Sequence, residues 1–249
     1  MKLTLIVTTL LFSQLTFSQN KTICGQNDDR VLSDDSKIGR ASRASSNVGC
    51  TVTMIGRSCA ISVGHCVGAL EKVSFNVPLS VNSKATPSAE TDIYYRTKDF
   101  LRYKDNGSGN DWAVIRLMPN QLTSQYPGDV QGHYQVDLGL GTKKGDRVRI
   151  TGFGSDKSDP IRNFAQQTHS GNIEKLGSFF NKAKLGYSVN TMGGNSGSSV
   201  ILERTNKIIG VHSHGTCSSS GGYNEGTFIA KNKIFKQIIS ECLKWEETL

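Results

Sequence analysis

The chain has 249 residues, of which 36% are hydrophobic and 20% are charged, and its formal net charge is +8. This composition excludes a disordered chain and a bundle of membrane helices, and the length suits one large domain or two small ones. The basic residues are scattered, with no run of five or six, and no nucleic-acid-binding motif accompanies them, so we expect no nucleic-acid partner.

The first eighteen residues have the pattern of an export signal. Lys2 is followed by an apolar run from Leu3 to Phe12 and then by a short segment that ends at Ser18. The run is too short to cross a bilayer, which needs about 20 residues, and no later segment is comparable. We therefore expect residues 1–18 to be a signal peptide that is removed on export, which would lower the net charge from +8 to +7. The protein would then be extracellular or periplasmic, and we expect no stable membrane association. A buried N-terminal strand is the alternative interpretation.

The remainder of the chain has an all-β pattern. Residues 19–46 are polar and predict an N-terminal arm or a pro-segment, and from residue 47 onward short apolar runs alternate with Gly, Ser, Asn and Asp. Strands are predicted at Thr51–Ile55, Ala60–Val63, Val73–Val77, Ile93–Tyr95, Ala113–Leu117, Arg147–Thr151, Gly171–Leu176, Leu185–Val189, Val200–Leu202, Lys207–Val211 and Gly226–Ile229. Their close spacing favours an antiparallel barrel or sandwich over a parallel α/β sheet. Only residues 232–245 have apolar positions at three- and four-residue steps, which predicts a C-terminal helix.

Six cysteines suit an exported protein, because disulfides form and persist in oxidising compartments. They are Cys24, Cys50, Cys59, Cys66, Cys217 and Cys242. No two are spaced as Cys-x-x-Cys, which argues against a zinc knuckle or a thioredoxin-like site. A set of three disulfides is therefore expected.

Three segments carry residues that could form a hydrolytic site. An apolar strand leads to His65, Asp111 leads into another apolar strand, and Ser196 lies in a tight glycine turn ahead of a third. A serine hydroxyl becomes a nucleophile when a histidine takes its proton, and a carboxylate behind the histidine fixes the tautomer of the ring. Each residue alone has an ordinary structural explanation, but the order His, Asp, Ser in an all-β pattern is far more specific. Asp105 is the nearest rival to Asp111, but it lies in a turn with no strand after it.

These segments resemble those of chymotrypsin-like serine proteases. Ser62–Cys66 resembles their threonine-alanine-alanine-His-Cys motif, Asp111 with Ala113 resembles their Asp-x-Ala strand, and Gly194–Gly197 resembles their Gly-Asp-Ser-Gly turn. The V8-like glutamyl endopeptidase branch is more similar, on the segments Thr191–Ser198 and Ile208–His212. The segment Ile23–Arg30 also resembles the opening of many of these enzymes, and the resemblance covers about residues 23–240.

The resemblance implies a fold of two six-stranded antiparallel β-barrels with the site in the cleft between them. The serine protease domain would span residues 47–249, with barrel one at about 47–125, barrel two at about 126–231 and the C-terminal helix at about 232–245. It further implies that His65 and Asp111 come from the first barrel and Ser196 from the second. The backbone N–H groups of Gly194 and Ser196 would form the oxyanion hole, and Ser213, His214 and Gly215 would form the strand that pairs with the substrate backbone.

The resemblance also implies a specificity for acidic residues. A trypsin-type pocket has an Asp where this chain has Asn190, so a strong preference for Lys or Arg is not expected. In the glutamyl endopeptidase branch a Thr and a His bind the P1 carboxylate, and Thr191 and His212 occupy those places. Cleavage after Glu, and less well after Asp, is therefore expected. The alternative is that His212 only packs behind the pocket and the P1 preference is broad.

The same resemblance guides the disulfide pairing. Cys50 and Cys66 have the spacing at which this family clamps the hairpin beneath the catalytic His, so they are expected to pair. Three pairings of the other four cysteines are possible. The pairs Cys59–Cys242 and Cys24–Cys217 are the expected ones, because the terminal helix should pack near Cys59 and the N-terminal arm near the specificity pocket.

Two other functions remain open at this level. One is an inactive homologue that keeps the fold as a secreted binding or toxin-like module. The other is metal binding by His212 and His214, since residues i and i+2 share a face of a strand. The sequence favours an active serine endopeptidase that needs no metal or other cofactor, acts on protein or peptide substrates and is a monomer.

Overall fold

The computed structural model describes residues 22–178 and 180–248, so the expected signal peptide at residues 1–18 lies outside the described residues. Strands and α-helices, each numbered in chain order, make up most of the regular structure. They are β1 (Val31–Leu32), β2 (Ile38–Ser42), β3 (Cys50–Met54), β4 (Cys59–Ser62), β5 (Lys72–Ser74), β6 (Ile93–Asp105), β7 (Asp111–Leu117), α1 (Pro127–Gln131), β8 (Arg147–Gly152), β9 (Gln167–Leu176), β10 (Lys184–Tyr187), β11 (Ser199–Leu202), β12 (Lys207–His214), β13 (Asn224–Phe228) and α2 (Lys233–Glu246). Short 3₁₀ helices lie at Gly64–Ala69, Glu90–Asp92 and Ile229–Lys231.

The strands form two closed antiparallel barrels. The first has the order β2-β3-β4-β7-β6-β5 and closes where β5 pairs with β2. The second has the order β8-β9-β10-β13-β12-β11 and closes where β11 pairs with β8, and β1 is added outside this ring, on β9. Each barrel surrounds buried aliphatic side chains, such as Val52 and Ile115 in the first and Ile150 and Leu185 in the second. The predicted all-β fold of two six-stranded barrels is confirmed.

The first barrel begins earlier in the sequence than residue 47. Strand β2 lies inside the segment expected to be an arm and pairs with both β3 and β5. Its Arg40 is only 2% exposed and donates hydrogen bonds to the carbonyls of Phe164, at 3.0 Å, and Thr86, at 2.6 Å. Gly39 leaves room for Val73, since a Cβ there would stand 2.4 Å from Cγ1 of Val73. A strand that contains a buried Arg and a Gly has no alternating apolar pattern, and β2 was therefore not predicted from the sequence.

The predicted C-terminal helix is present as α2 and packs on the first barrel. Asn232 caps it, because its side chain accepts from the N–H of Phe235 at 3.0 Å. The ring of Phe235 stacks on Trp112 with centroids 5.1 Å apart. At the other end, the Glu246 carboxylate accepts from the backbone N–H groups of Arg57, Ser58 and Cys59, at 2.9, 2.5 and 2.6 Å. The helix thus closes the turn between β3 and β4.

Three disulfides connect the described residues, and they are the pairs expected from the sequence. Cys50–Cys66 links β3 to the 3₁₀ helix after β4, and Cys59–Cys242 links β4 to α2. Cys24–Cys217 ties the N-terminal segment to the loop between β12 and β13. Within the described part of the chain, no helix has both the length and the apolarity that crossing a bilayer requires.

Candidate active site

Strand pairing in the first barrel brings His65 and Asp111 together. His65 lies in the 3₁₀ helix that follows β4, and Asp111 is the first residue of β7, which pairs with β4. The Asp111 side chain is fully buried, and its Oδ2 atom lies 2.6 Å from Nδ1 of His65. Its other oxygen accepts from the N–H groups of Gly64 and His65, at 2.6 and 3.2 Å. Because carboxylate oxygens accept, Nδ1 of His65 is the donor, and Nε2 is left as a base.

The turn that carries Ser196 belongs to the second barrel but is held by the first. It lies between β10 and β11, and Thr51 of β3 donates through its N–H to the Ser196 carbonyl, at 2.8 Å, and through Oγ1 to the Gly194 carbonyl, at 2.9 Å. Gly197 has a φ of +89°, and a Cβ there would stand 2.2 Å from the Thr51 carbonyl oxygen. Only glycine fits this position, so the Gly-Asn-Ser-Gly sequence is what allows the two barrels to meet at the serine.

The backbone around Ser196 leaves two donors free. Neither the N–H of Gly194 nor that of Ser196 donates to any acceptor within residues 22–178 and 180–248. The carbonyl of Gly193 points the other way and accepts from the N–H of Ser155 at 2.8 Å. Two unpaired N–H groups beside a nucleophile can stabilise a negatively charged oxygen.

The side chains of Ser196 and His65 share the cleft without a direct hydrogen bond. The Cys66 sulfur lies 4.0 Å from the Ser196 carbonyl, and no bond between Ser196 Oγ and His65 is present among the described residues. Such a bond is often long in a free enzyme and shortens when substrate binds. The 3₁₀ helix that carries His65 and Cys66 therefore lies beside the Ser196 turn.

A cavity of about 280 Å³ opens beside Ser196. Its walls include His212, Ser213, His214 and Gly215, so four of the residues expected to contact substrate line one space with the serine. Thr22 also lines it, which the sequence did not suggest. Thr191 is fully buried directly behind Thr22, and the two hydroxyl oxygens are 2.9 Å apart.

Asn224 lies against the hydroxyl of Thr191. The Asn224 amide nitrogen is 2.7 Å from the Thr22 carbonyl, 2.8 Å from the Val189 carbonyl and 3.0 Å from Thr191 Oγ1, and it shares two protons among these three acceptors. The Thr22 hydroxyl donates to the Thr191 carbonyl. The proton of the Thr191 hydroxyl is then left for Thr22 Oγ1. Thr191 was expected to bind substrate, but it is fully buried and does not line the cavity, so Thr22 is the threonine that faces a ligand.

His212 is buried and neutral at pH 7. Burial, followed by the charges of His65 and His214, lowers the pKa of His212 to about 3. Its Nδ1 atom lies 2.7 Å from the hydroxyl oxygen of Tyr187. Burial and then the charge of Glu225 raise the pKa of Tyr187 well above its usual value, so this phenol keeps its proton. The pocket therefore offers polar hydrogen-bonding groups and no fixed charge from these two residues.

Asn190 does not face a ligand. Its side-chain oxygen accepts from the N–H of Cys24 at 2.8 Å, and its nitrogen donates to the carbonyl of Asn27 at 3.0 Å. The N-terminal segment thus occupies the space below Thr191 and forms the floor of the cavity. The sequence placed Cys24 near the specificity pocket, but Thr22, Tyr187 and Asn224 have no local pattern that marks them.

The two histidines of β12 have different surroundings. A β-bulge lies between His212 and His214, and His214 bonds to the hydroxyl of Ser213 at 2.8 Å with its ring centroid 6.1 Å from that of His65. Within the described ranges, no group of three or more His, Cys, Asp or Glu side chains could hold a metal ion. Two barrels that contribute His, Asp and Ser side chains to one cleft are the arrangement of the chymotrypsin-fold serine endopeptidases, which act on peptide substrates.

Known sequences agree with this class. The sequence matches the Trypsin family model over residues 35–239, more than half of the chain. It is 26% identical over 245 residues to the glutamyl endopeptidase of Bacillus licheniformis, and that alignment covers 92% of this chain and 70% of that protein. It is 28% identical over 153 residues to the glutamyl endopeptidase of Staphylococcus epidermidis, and that alignment covers 59% of this chain and 49% of that protein. The chain belongs to the trypsin family.

Two solved structures share its fold. The structure of a Glu endopeptidase in complex with MPD has a TM-score of 0.67 at 21% identity and covers 89% of this chain and 100% of its own. The protease Anisep from Arthrobacter nicotinovorans has a TM-score of 0.58 at 18% identity and covers 80% of this chain and 93% of its own. At these identities the similarity establishes the double-barrel fold and nothing narrower.

Proposed function

We propose that Ser196 is the acyl-enzyme nucleophile of this endopeptidase, with His65 as general base and then acid, and Asp111 as the orienting carboxylate. The observation that carries the proposal is the 2.6 Å contact between the fully buried Asp111 carboxylate and Nδ1 of His65, in the cleft that holds Ser196. Ser196 Oγ attacks the peptide carbonyl as its proton passes to Nε2 of His65. The N–H groups of Gly194 and Ser196 hold the resulting oxyanion, and His65 then gives the proton to the leaving amine. Water releases the acyl group by the same steps.

The direct test is modification and replacement of Ser196. A serine-directed phosphonate should label Ser196 and abolish peptide cleavage, and a chelator should leave cleavage unchanged. Ser196→Ala should lower kcat by about 10⁴-fold or more while the substrate still binds. Ser45→Ala, at an exposed serine, is the matched control. If Ser196→Ala cleaved peptides at the parent rate the assignment would be wrong, and a parent protein that cleaves no peptide would favour an inactive homologue.

Cleavage after Glu at P1, and less well after Asp, is the second part of the proposal. His212 lines the cavity beside Ser196, and so does Thr22, which Thr191 supports from behind. The high pKa of Tyr187 means that its hydroxyl can donate to Nδ1 of His212, which leaves the imidazole proton on Nε2. A neutral His212 can then donate to a P1 carboxylate without carrying a charge. The names of the two glutamyl endopeptidases support the same preference.

The measurement is kcat/KM on otherwise identical peptides with Glu, Asp, Gln, Lys or Phe at P1. Glu should be preferred over Gln, which has nearly the same shape, and His212→Ala should reduce that ratio. A Glu-to-Gln ratio near one, or one that His212→Ala leaves unchanged, would mean that His212 only packs behind the pocket. That result would remove the acidic preference and leave the serine endopeptidase in place.

We also propose that the protein is secreted as a monomer after removal of residues 1–18. Three disulfides support an oxidising destination. The contacts of Thr22 and Cys24 with the second barrel support the retention of the segment from residue 22 onward. Mass spectrometry of the protein from culture medium would identify the mature N-terminus, and light scattering would give the oligomeric state. Recovery of the intact chain inside the cell, or a dimer at working concentration, would contradict these proposals.

A further inference from the structure

An ion pair between buried Arg30 and partly exposed Asp28 lies beside the Ser196 turn. Arg30 precedes β1, and its side chain is only 2% exposed. Its Nε and Nη2 atoms donate to the two carboxylate oxygens of Asp28, at 2.8 and 2.6 Å. Burial by itself would raise the pKa of Asp28, but the hydrogen bonds and charge of Arg30 outweigh it and hold this pKa below its usual value. A buried guanidinium needs such a partner, and Asp28 is the carboxylate that pairs with Arg30.

The same guanidinium reaches the segment that supports the Ser196 turn. Nη2 of Arg30 also donates to the carbonyl of Ser155 at 3.1 Å, and the N–H of Ser155 donates to the carbonyl of Gly193 at 2.8 Å. The peptide between Gly193 and Gly194 is planar and trans. A Gly193 carbonyl held toward Ser155 therefore turns the N–H of Gly194 to the opposite side, where it is free.

Arg30 also approaches the residue that precedes Ser196. A Cβ built on Gly154 would stand 2.6 Å from Nη1 of Arg30 and 2.1 Å from Oδ1 of Asn195, so the two side chains converge on Gly154. Nη1 is buried and has no acceptor among the described residues. Oδ1 of Asn195 accepts from the N–H of Met192 at 2.9 Å and so forms part of the turn. The guanidinium thus packs beside the turn, against Gly154 and Ser155.

We propose that Arg30, held in place by Asp28, is a positioning residue that keeps the oxyanion hole formed. It fixes Ser155, and through Ser155 it fixes the Gly193–Gly194 peptide. The inference rests on the proposed function, because the hole has a role only if Ser196 attacks a carbonyl.

The test replaces the guanidinium and follows catalysis and binding separately. Arg30→Met should lower kcat by about 10- to 100-fold with little change in KM, since removal of one oxyanion donor costs about 10²- to 10³-fold and here the donor is only misplaced. A peptidyl trifluoromethyl ketone, which forms a tetrahedral adduct with Ser196, should bind more weakly by a similar factor. A product peptide, which forms no oxyanion, should bind as before. Arg30→Lys should recover part of kcat.

Controls separate this effect from a general loss of structure. Arg57→Met removes the exposed ion pair of Arg57 with Asp129 and should leave kcat unchanged. If Arg30→Met does not fold, the test uses Asp28→Asn, which removes the ion pair with Asp28 but keeps the guanidinium of Arg30. In this variant kcat should fall by about tenfold at constant KM. Folded variants with parent kcat, or with a change in KM alone, would overturn the proposal. If the Ser196→Ala variant kept the full activity of the parent, the proposed function itself would be overturned instead.

Discussion

His212 gives the protein a pH-dependent stability that can be assigned to one residue. Its pKa is about 3 in the folded state, against about 6.5 in an unfolded chain. Below pH 6.5 the unfolded chain binds a proton that the folded protein does not, so His212 lowers the free energy of unfolding as the pH falls toward 3. Above pH 6.5 the His212 side chain is neutral in both the folded and the unfolded chain, so it no longer lowers the free energy of unfolding.

The expected result is that His212→Gln flattens the acid side of the stability profile. Between pH 6.5 and pH 4 the parent should lose up to about 3 kcal/mol of unfolding free energy through this residue, and the variant should not. Urea unfolding at a series of pH values measures the difference. His133→Gln, at an exposed histidine, is the control and should keep the parent profile. Parallel profiles for the parent and His212→Gln would contradict the prediction.

Tyr187 should control selectivity without contacting the scissile bond. Its hydroxyl is 2.7 Å from Nδ1 of His212, and it sets which ring nitrogen carries the proton. Tyr187→Phe should lower the ratio of kcat/KM for Glu over Gln at P1 by about tenfold, which is the loss of about 1.4 kcal/mol from one polar contact. The rate on the Gln peptide should change little. An unchanged ratio would show that the tautomer of His212 is fixed by another group.

At the level of the elements, α2 should stabilise the first barrel through its last turn. The Glu246 carboxylate accepts hydrogen bonds from the backbone N–H groups of residues 57–59. Without Glu246 these three N–H groups would lose their acceptor. Glu246→Gln removes the charge from these bonds and should cost about 1–3 kcal/mol, seen as a lower Tm with unchanged kcat/KM. Glu247→Gln, at the exposed next residue, should leave Tm unchanged. Equal Tm values for both variants would contradict this role of Glu246.

The sequence predicts elements well where the pattern is local. Strands such as β7 and β11 have runs of apolar residues next to turn residues, and α2 has a clear helical period, so each was located within a few residues. Strand β2 was missed because Arg40 is accommodated by carbonyls from residues 86 and 164, which lie far away in sequence. Strand β6 is longer than predicted because its second half pairs with β7 beyond a bulge and is largely exposed.

The same distinction holds for the candidate site. His65, Asp111 and Ser196 could be named because their chemistry and glycine neighbours form short motifs, although their roles stay predictions. Thr22 and Arg30 could not be named. They gain their positions from contacts with residues more than 100 places away, such as Thr191 and Ser155. Such contacts leave no period or spacing in a single sequence.

Over the whole molecule, the Cys24–Cys217 disulfide should link stability to specificity. It closes a loop of 193 residues. Without it, the larger conformational entropy of the unfolded chain would lower the free energy of unfolding by up to about 5 kcal/mol. It also holds the segment that carries Thr22 against Thr191. The double variant Cys24→Ala, Cys217→Ala should lower Tm and should lower kcat/KM for Glu peptides more than for Gln peptides.

The matched comparison is the double variant Cys59→Ala, Cys242→Ala, whose disulfide closes a loop of 183 residues on the far side of the first barrel. Its loss of Tm should be similar, because the two loops are almost equal in length. Its ratio of Glu to Gln cleavage should equal that of the parent. A change in the ratio in both variants would mean that global loosening, and not the position of Thr22, alters specificity.

Thr51 makes the alignment of the two barrels a condition of catalysis. A single residue of β3 holds the carbonyls of Gly194 and Ser196, and its Oγ1 also accepts from the N–H of Phe153 at 3.1 Å. A small rotation of one barrel against the other would break these bonds and shift the serine while both barrels remained intact. On heating, turnover should therefore cease when the barrels slip, before either barrel melts.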